Sequence, residues 1–352
     1  MSNSEPWKAI FVALRFIWNV SFGRGWDSAP VGVSEGSCHV DELGVCNPAS
    51  ASSTTILSAR PVLLPGANSD IIYKQRLLVI IMDYSACRAP AALSEFGARN
   101  IFMGKPSPVG LGSGITQKYL QCSYGKLNIT AFKAITVTAN CSSNEPGPSF
   151  STCPVLRFIK DGSSGAKDIL GEDAFLSDFS HYVYVLPPGV NEFCRGDWAA
   201  VPGRQIVLRT LLGSLERWSA TLELTLHNFG LWHSWQGGHE FEDGSSPSGR
   251  KDVCPNAPEL AYLGWTSPVK GGGQVDANTL PVGTVRSFNL PATYLTSDGH
   301  FVRVVPDWLP TYSNRTGAKN LYIAVRVNKG GDALLAAPYA NAVNVHEVNA
   351  TM

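Results

Sequence analysis

The sequence predicts an α+β fold: a mixed sheet with one central helix, followed by a small all-β, sandwich-like domain. Three observations predict it. Strand-like and helix-like stretches alternate between residues 77 and 209, the pattern of a layered α and β domain. Leu215, Trp218, Leu222, Leu226 and Phe229 then recur at helical spacing and draw one apolar stripe. Past Lys270-Gly271-Gly272-Gly273 the texture changes to short apolar stretches separated by Pro, Gly and Asn.

Residues 1–70 are rich in Ser, Gly, Ala and Pro and show little periodicity; they read as an N-terminal or pro-segment. Within them residues 9–18 are apolar, with Lys8 before them and Arg15 inside. That is a poor signal-peptide core and short for a membrane span, so a buried segment and an atypical signal both stay open. The main domain is expected over residues 71–268. The continuous apolar run 77–82 reads as a buried strand, 91–102 as a helix, 115–120 as a short helix leading into Cys122, and 129–138 as a strand. Strands follow at 182–186 and 205–209, the second expected as a sheet edge facing a cleft, and then the helix over 215–229. The β domain is expected over 269–352, from the stretches 282–290, 300–305, 321–327 and 342–346.

Lys and Arg number 28, Asp and Glu 28, and no long charge run occurs, so nothing favours nucleic acid or an anionic membrane as partner. Hydrophobic residues make up 44% of the 352 positions, enough for a sizeable core. The eight cysteines are Cys38, Cys46, Cys87, Cys122, Cys141, Cys153, Cys194 and Cys254. None forms a C-x-x-C pair, which disfavours a structural zinc cluster, and the even count suits disulfides in an oxidising compartment. N-x-S/T sequons at Asn19, Asn128, Asn140, Asn314 and Asn349 agree with a secreted glycoprotein.

His227-Asn228-Phe229-Gly230-Leu231-Trp232-His233 carries the chemistry. It reads H-x-x-G-x-x-H, the second half of the zinc signature H-E-x-x-H-x-x-G-x-x-H. Residues four apart on a helix share a face, so two imidazoles there can grip one Zn2+, with a glutamate beside them to take a proton from bound water. The glycine lets the chain leave the helix sharply and return the last histidine to the metal. The first half is altered: Glu223 stands where the first histidine belongs, and Leu224 where the catalytic glutamate belongs. On a helix Glu223 and His227 lie about 40° apart, while Leu222 belongs to the apolar stripe. That favours Glu223 as the replaced ligand; a register slipped by one, with Glu223 as the old base and Leu222 as the old histidine, stays open.

The flanking residues resemble the gametolysin family of zinc metallopeptidases, metzincin-like enzymes of green-algal cell walls and extracellular matrix. Gln121-Cys122-Ser123-Tyr124-Gly125-Lys126-Leu127 is similar to its C-S-Y-G-K segment, and His181-Tyr182-Val183-Tyr184-Val185-Leu186-Pro187 to its strand before the active-site region. Asp243-Gly244-Ser245-Ser246-Pro247-Ser248-Gly249 resembles its D-x-S-x-P-M-G turn, with Ser248 in place of the Met-turn methionine. Cys254-Pro255-Asn256-Ala257-Pro258, Leu263-Gly264-Trp265 and Tyr339-Ala340-Asn341 with Val343-Asn344-Val345-His346 resemble the segments that close it. The resemblance runs in order over roughly residues 70–350.

It implies a metzincin-like domain, a Zn2+ site, secretion to cell wall or extracellular matrix, and a matrix or cell-wall protein as partner. Candidate metal ligands are His227, His233 and Glu223; Gly230 and Ser248 are structural positions beside them. No base is identified, because leucine at 224 accepts no proton. First ligand, base and Met-turn residue are replaced together on a retained scaffold. The expectation is therefore a peptidase fold with weak or no activity and a binding or regulatory role, with the ion either retained or lost. The alternative is an active zinc endopeptidase cleaving cell-wall or matrix proteins, in which one of Glu240, Glu242 and Asp243 supplies the base. His239 reads as a surface residue, and His39, His181, His300 and His346 as structural. Trp232, Trp235 and Trp265 read as core packing before a sugar-stacking platform. Cys38 and Cys46 read as disulfide partners before metal-blocking pro-segment thiols.

Overall fold

The computed structural model describes residues 72–107, 110–111, 114–139, 153–190, 194, 196–210, 215–309 and 319–349, with the backbone of four short strands near the N-terminus. Those are β1 (Gly32–Val33), paired antiparallel with β4 (Thr54–Thr55), and β2 (Cys38–Val40), paired antiparallel with β3 (Cys46–Pro48). The apolar stretch 9–18, the side chains of Cys38, His39, Cys46 and Asn349, and the sequons at Asn19, Asn140 and Asn314 lie outside the described residues.

β5 (Tyr73–Asp83) organises everything that follows. Leu77, Val79 and Ile81 point into one core; Leu78, Ile80 and Met82 point into another. A strand buried on both faces reads as a continuous apolar run, and that run is what the sequence shows at 77–82. β5 pairs in parallel with β8 (Leu127–Thr138) on one side and β9 (His181–Leu186) on the other. β11 (Gln205–Arg209) continues in parallel beside β9, and β10 (Trp198–Ala199) closes the sheet antiparallel to β11. A small hairpin, β6 (Pro106–Ser107) and β7 (Gly110–Leu111), lies before β8. The result is a mixed α+β fold with helices on both faces of a five-stranded mixed sheet.

The expected sheet edge at 205–209 is corrected. β10 pairs over Ile206 and Val207, and the Asp197 carboxylate accepts from the Arg209 backbone N–H at 2.9 Å, so the edge is β10. Trp198–Ala199 is too short to show a period, which is why it is silent in the sequence.

One face carries α1 (Glu95–Met103), α2 (Ile115–Cys122), α5 (Trp218–Asn228) and α6 (Ala257–Tyr262). α1 starts four residues later than expected because Ser94 caps it, its hydroxyl accepting from the Gly97 N–H at 3.0 Å. α6 has a full capping box, Asn256 and Glu259 each bonding the other's backbone. The other face carries α3 (Val155–Leu170) and α4 (Glu172–Ser177), neither of which was expected. α3 contains Gly162-Ser163-Ser164-Gly165, poor helix formers in isolation. Packing explains them: a Cβ at Gly165 would lie 2.3 Å from Val137, so the helix seats closer to the sheet than any side chain allows.

Disulfide Cys122–Cys254 lies in the core on the first face and Cys153–Cys194 in the core on the second. Towards the C-terminus, β14 (Val302–Val304), β15 (Lys319–Arg326) and β16 (Ala342–Asn349) form an antiparallel sheet. The stretch 282–290, expected to contribute a strand, has no regular structure, and Val282 and Val285 are exposed. Among the described residues no helix is long and apolar enough to cross a membrane.

Candidate metal centre

α5 lies between the sheet and the loops that follow it. Leu222, Leu224 and Leu226 are buried in the core beneath the sheet. The Tyr119 hydroxyl of α2 lies 2.6 Å from Thr225 Oγ1. The helix is shorter at both ends than the predicted 215–229, with Leu215 in the preceding turn and Phe229 at the C-cap. It ends in a Schellman motif: Gly230 N–H donates to the His227 carbonyl at 2.8 Å, and Leu231 N–H to the Leu226 carbonyl at 3.0 Å. Gly230 takes φ +90°, a conformation that favours glycine. This stop is what turns the chain back and brings His233 beside His227.

Glu223, His227 and His233 converge. One ligand atom from each lies within 4.8 Å of the others. Leu222 is fully buried in the apolar core and takes no part, so the slipped register finds no support. His227 Nδ1 lies 2.8 Å from the Leu231 carbonyl, which only accepts, so Nδ1 carries the proton and Nε2 keeps its lone pair. Burial holds His227 down to about 4, with the neighbouring His233 adding to the shift and the Leu231 bond opposing it. It is a neutral imidazole at physiological pH. Burial also lowers His233, against the opposing pull of Glu240. Glu223 is pushed up to about 7, chiefly by burial, with Arg250 and Arg217 pulling the other way.

These residues fit a zinc ion. Two neutral imidazoles and one carboxylate are a donor set that catalytic-type zinc sites use. At zinc–ligand distances near 2.1 Å, tetrahedral neighbours stand about 3.4 Å apart, so closing the triad needs inward shifts of roughly 1 Å. A half-buried carboxylate that a cation would ionise, next to imidazoles already stripped of one proton, suits that closure.

No proton acceptor faces the triad from the expected positions. Leu224 is 5% exposed and sits in the apolar core. Glu240 is engaged with His233, its Oε1 2.6 Å from Nδ1. Asp243 is buried and accepts from Ser245 at 2.5 Å and from Asn256 at 3.1 Å. Glu242 and His239 are exposed. The engagement of Glu240 was missed in the sequence; its only advance signal is the Gly237-Gly238 pair, a hairpin turn.

The turn at Pro247–Gly249 packs against α5, with Ser248 fully buried. The Ser248 carbonyl accepts from the Ser234 N–H at 3.1 Å, which fixes the residue after His233. Gly249 is required by close approach, since a Cβ there would lie 1.8 Å from the Asp243 carbonyl oxygen. Around this turn the segments that looked scattered in sequence meet. His346 Nε2 lies 2.8 Å from Ser245 Oγ, Ser246 Oγ donates to both Glu259 oxygens, and buried Arg326 donates to the carbonyls of Ser245 and Cys254 while pairing with Asp332. Asp243, Ser245 and His346 do not form a catalytic relay: Ser245 is fully buried, and Asp243 bonds the serine rather than the far imidazole nitrogen.

His300 and His181 also sit apart from the triad, His300 against the Tyr124 hydroxyl at 2.8 Å and His181 against Ser180 at 2.9 Å. Trp265 is buried against Phe229. Trp232 departs from the core-packing expectation: it is 46% exposed, its ring 4.6 Å from His233.

Comparison with known proteins gives the family. The family model described as Gametolysin peptidase M11 matches residues 76–352. A curated relative, "Autolysin" of Chlamydomonas reinhardtii, is 27% identical over 103 residues, covering 26% of this chain and 16% of that protein's length. The chain therefore spans only a small part of this relative. The family match takes in the sheet, the zinc-type helix and the C-terminal strands together, and the chain belongs to the gametolysin peptidase family M11, a family of metallopeptidases.

Proposed function

We propose that this protein is a secreted, gametolysin-type zinc-binding protein with weak or no peptidase activity and a binding or regulatory role in cell wall or extracellular matrix. One observation carries the reading: the base position is a leucine sunk in the core, while the nearby carboxylates are bonded elsewhere or exposed. Glu223, His227 and His233 would hold the ion. Bound zinc would supply a Lewis acid with an open position for a ligand oxygen. Without a residue to take a proton from water, that position suits capture of a peptide group rather than its hydrolysis.

Secretion is supported by the disulfides among the described residues, Cys122–Cys254 and Cys153–Cys194, since such bonds persist in oxidising compartments. The part-exposed sequon at Asn128 on β8 supports glycosylation. We read residues 71–268 as a metzincin-like unit, 269–352 as a small β domain and 1–70 as a pro-segment; the parallel-dominated sheet with α5 and the antiparallel β14–β16 sheet support the first two.

The test is cleavage of casein and of matrix extract by zinc-loaded protein beside His227→Ala. The expected result is no chelator-sensitive cleavage above the variant's background. Robust cleavage, abolished by chelator and absent from the variant, would establish an active endopeptidase instead.

A further inference from the structure

The hairpin after His233 has a role that the zinc motif does not contain. β12 (Trp235–Gln236) and β13 (His239–Glu240) turn on Gly237 and Gly238, at φ +60° and +83°. Two positive-φ residues give a two-residue turn whose twist suits paired strands, so Glu240 comes back opposite Trp235. There its Oε1 lies 2.6 Å from His233 Nδ1. With a carboxylate oxygen as its partner, Nδ1 is the donor of this bond, and Nε2 is the ring nitrogen turned away from Glu240.

The hairpin is anchored at several points. Phe241 N–H donates to the Ser234 carbonyl at 3.0 Å. The Tyr339 hydroxyl, far along the chain, donates to Gln236 and accepts from the Gly244 N–H at 3.3 Å. The Phe241 ring lies 3.9 Å from the His233 ring, and the Arg250 guanidinium lies 3.5 Å from the Phe241 ring. His233 is thus held by a carboxylate at one nitrogen and by ring contact.

We propose that Glu240 is the positioning residue of the metal centre: it fixes His233 in the Nδ1–H tautomer and orients its Nε2 for a divalent cation of the zinc type. This rests on the metal reading of Glu223, His227 and His233. Histidine ligands owe both orientation and basicity to such outer partners. The same bond removes Glu240 as a substitute base, because it is committed on the nitrogen opposite the coordinating one. The two histidines are held by different devices, His227 by a carbonyl of its own helix stop and His233 by a side chain that mutation can remove.

The experiment is zinc titration of the metal-free protein against a competing chromophoric chelator, for wild type, Glu240→Gln, Glu240→Ala and His227→Ala. Histidine 15N spectra of the metal-free proteins accompany it. Glu240→Ala should weaken zinc binding by about ten- to a hundredfold, with Glu240→Gln between it and wild type. The metal-free melting temperature of Glu240→Gln should stay close to wild type, and the Nδ1–H signature of His233 should be lost in Glu240→Ala. His227→Ala should abolish binding. If His227→Ala binds as wild type does, the metal reading fails. If His227→Ala loses zinc while Glu240→Ala keeps wild-type affinity and tautomer, the metal reading stands and the role of Glu240 is overturned.

Discussion

Glu223 stands one helical turn before His227 on α5, and the carboxylate and imidazole share with His233 a space in which their ligand atoms lie within 4.8 Å of one another. Its neighbour Leu224 is buried in the apolar core. Consecutive residues thus divide between a polar site and a core, and the division sets the chemistry: a metal can be held, but no proton acceptor stands at the second position.

Glu223 is expected to act as the third ligand. Glu223→Ala should weaken zinc binding by more than the roughly ten- to hundredfold that loss of an outer-shell partner costs. Glu223→His should tighten it relative to wild type, because a neutral imidazole replaces a carboxylate that burial pushes up to about 7. Competition titration reads both, and equal affinity in all three proteins would remove Glu223 from the site.

Restoring the family motif should raise activity and lower stability together. Leu224→Glu forfeits apolar burial worth roughly 2–5 kcal/mol and puts a carboxyl among apolar neighbours. Glu223→His with Leu224→Glu should therefore melt several degrees lower, yet gain chelator-sensitive cleavage per folded molecule. A wild type that already cleaves as fast as this variant would contradict the account.

Acid should destabilise the fold. Burial holds His300 down to about 3 and His181 down to about 4, both below the ordinary value near 6.5. In each case the unfolded chain binds a proton that the folded protein refuses, so stability rises with pH across this window. Their contribution is complete above about pH 6.5 and is lost as pH falls towards 4 and 3, on the order of a few kcal/mol in all. Urea midpoints between pH 4 and 7 should fall towards acid, and less steeply in His181→Asn. Glu223, pushed up to about 7, pulls the opposite way in this window, so the difference in slope between wild type and His181→Asn is the reading that counts; equal slopes would mean that His181 charges freely in the folded state.

The Cys122–Cys254 disulfide joins α2 to the segment that precedes α6, closing a separation of 132 residues. Cys254 also donates its N–H to Asp332 at 3.1 Å and offers its carbonyl to Arg326. Cys122→Ala with Cys254→Ala should cost about 2–5 kcal/mol of stability. It should also weaken zinc binding, since the loop beneath α5 hangs on the same bonds. Loss of stability with full zinc affinity would separate the clamp from the site.

Much of this is legible in the sequence. Buried β5 announced itself as an unbroken apolar run, and H-x-x-G-x-x-H placed His227, Gly230 and His233 in one turn-and-return whose Schellman stop the structure supplies. What stayed hidden obeys non-local rules. α3 runs through Gly162 and Gly165 because Tyr184, Met82 and Val137 leave no room for a Cβ, information held by the sheet rather than the helix. α6 carries a readable but unused signal, Asn256 with Glu259 three residues on. The bond of Glu240 to His233 closes across a hairpin rather than along one helix face, and the Gly237-Gly238 turn makes it. At 282–290 local hydrophobicity misled, since Val282 and Val285 face solvent.

The most direct test is the zinc content of the purified protein after secretory expression, measured beside His227→Ala. The account predicts about one zinc per chain in the wild type and none in the variant, as expected for a site of two histidines and one carboxylate. No zinc in either protein, even after incubation with the metal, would contradict it and leave Glu223, His227 and His233 as a vestige of the family site.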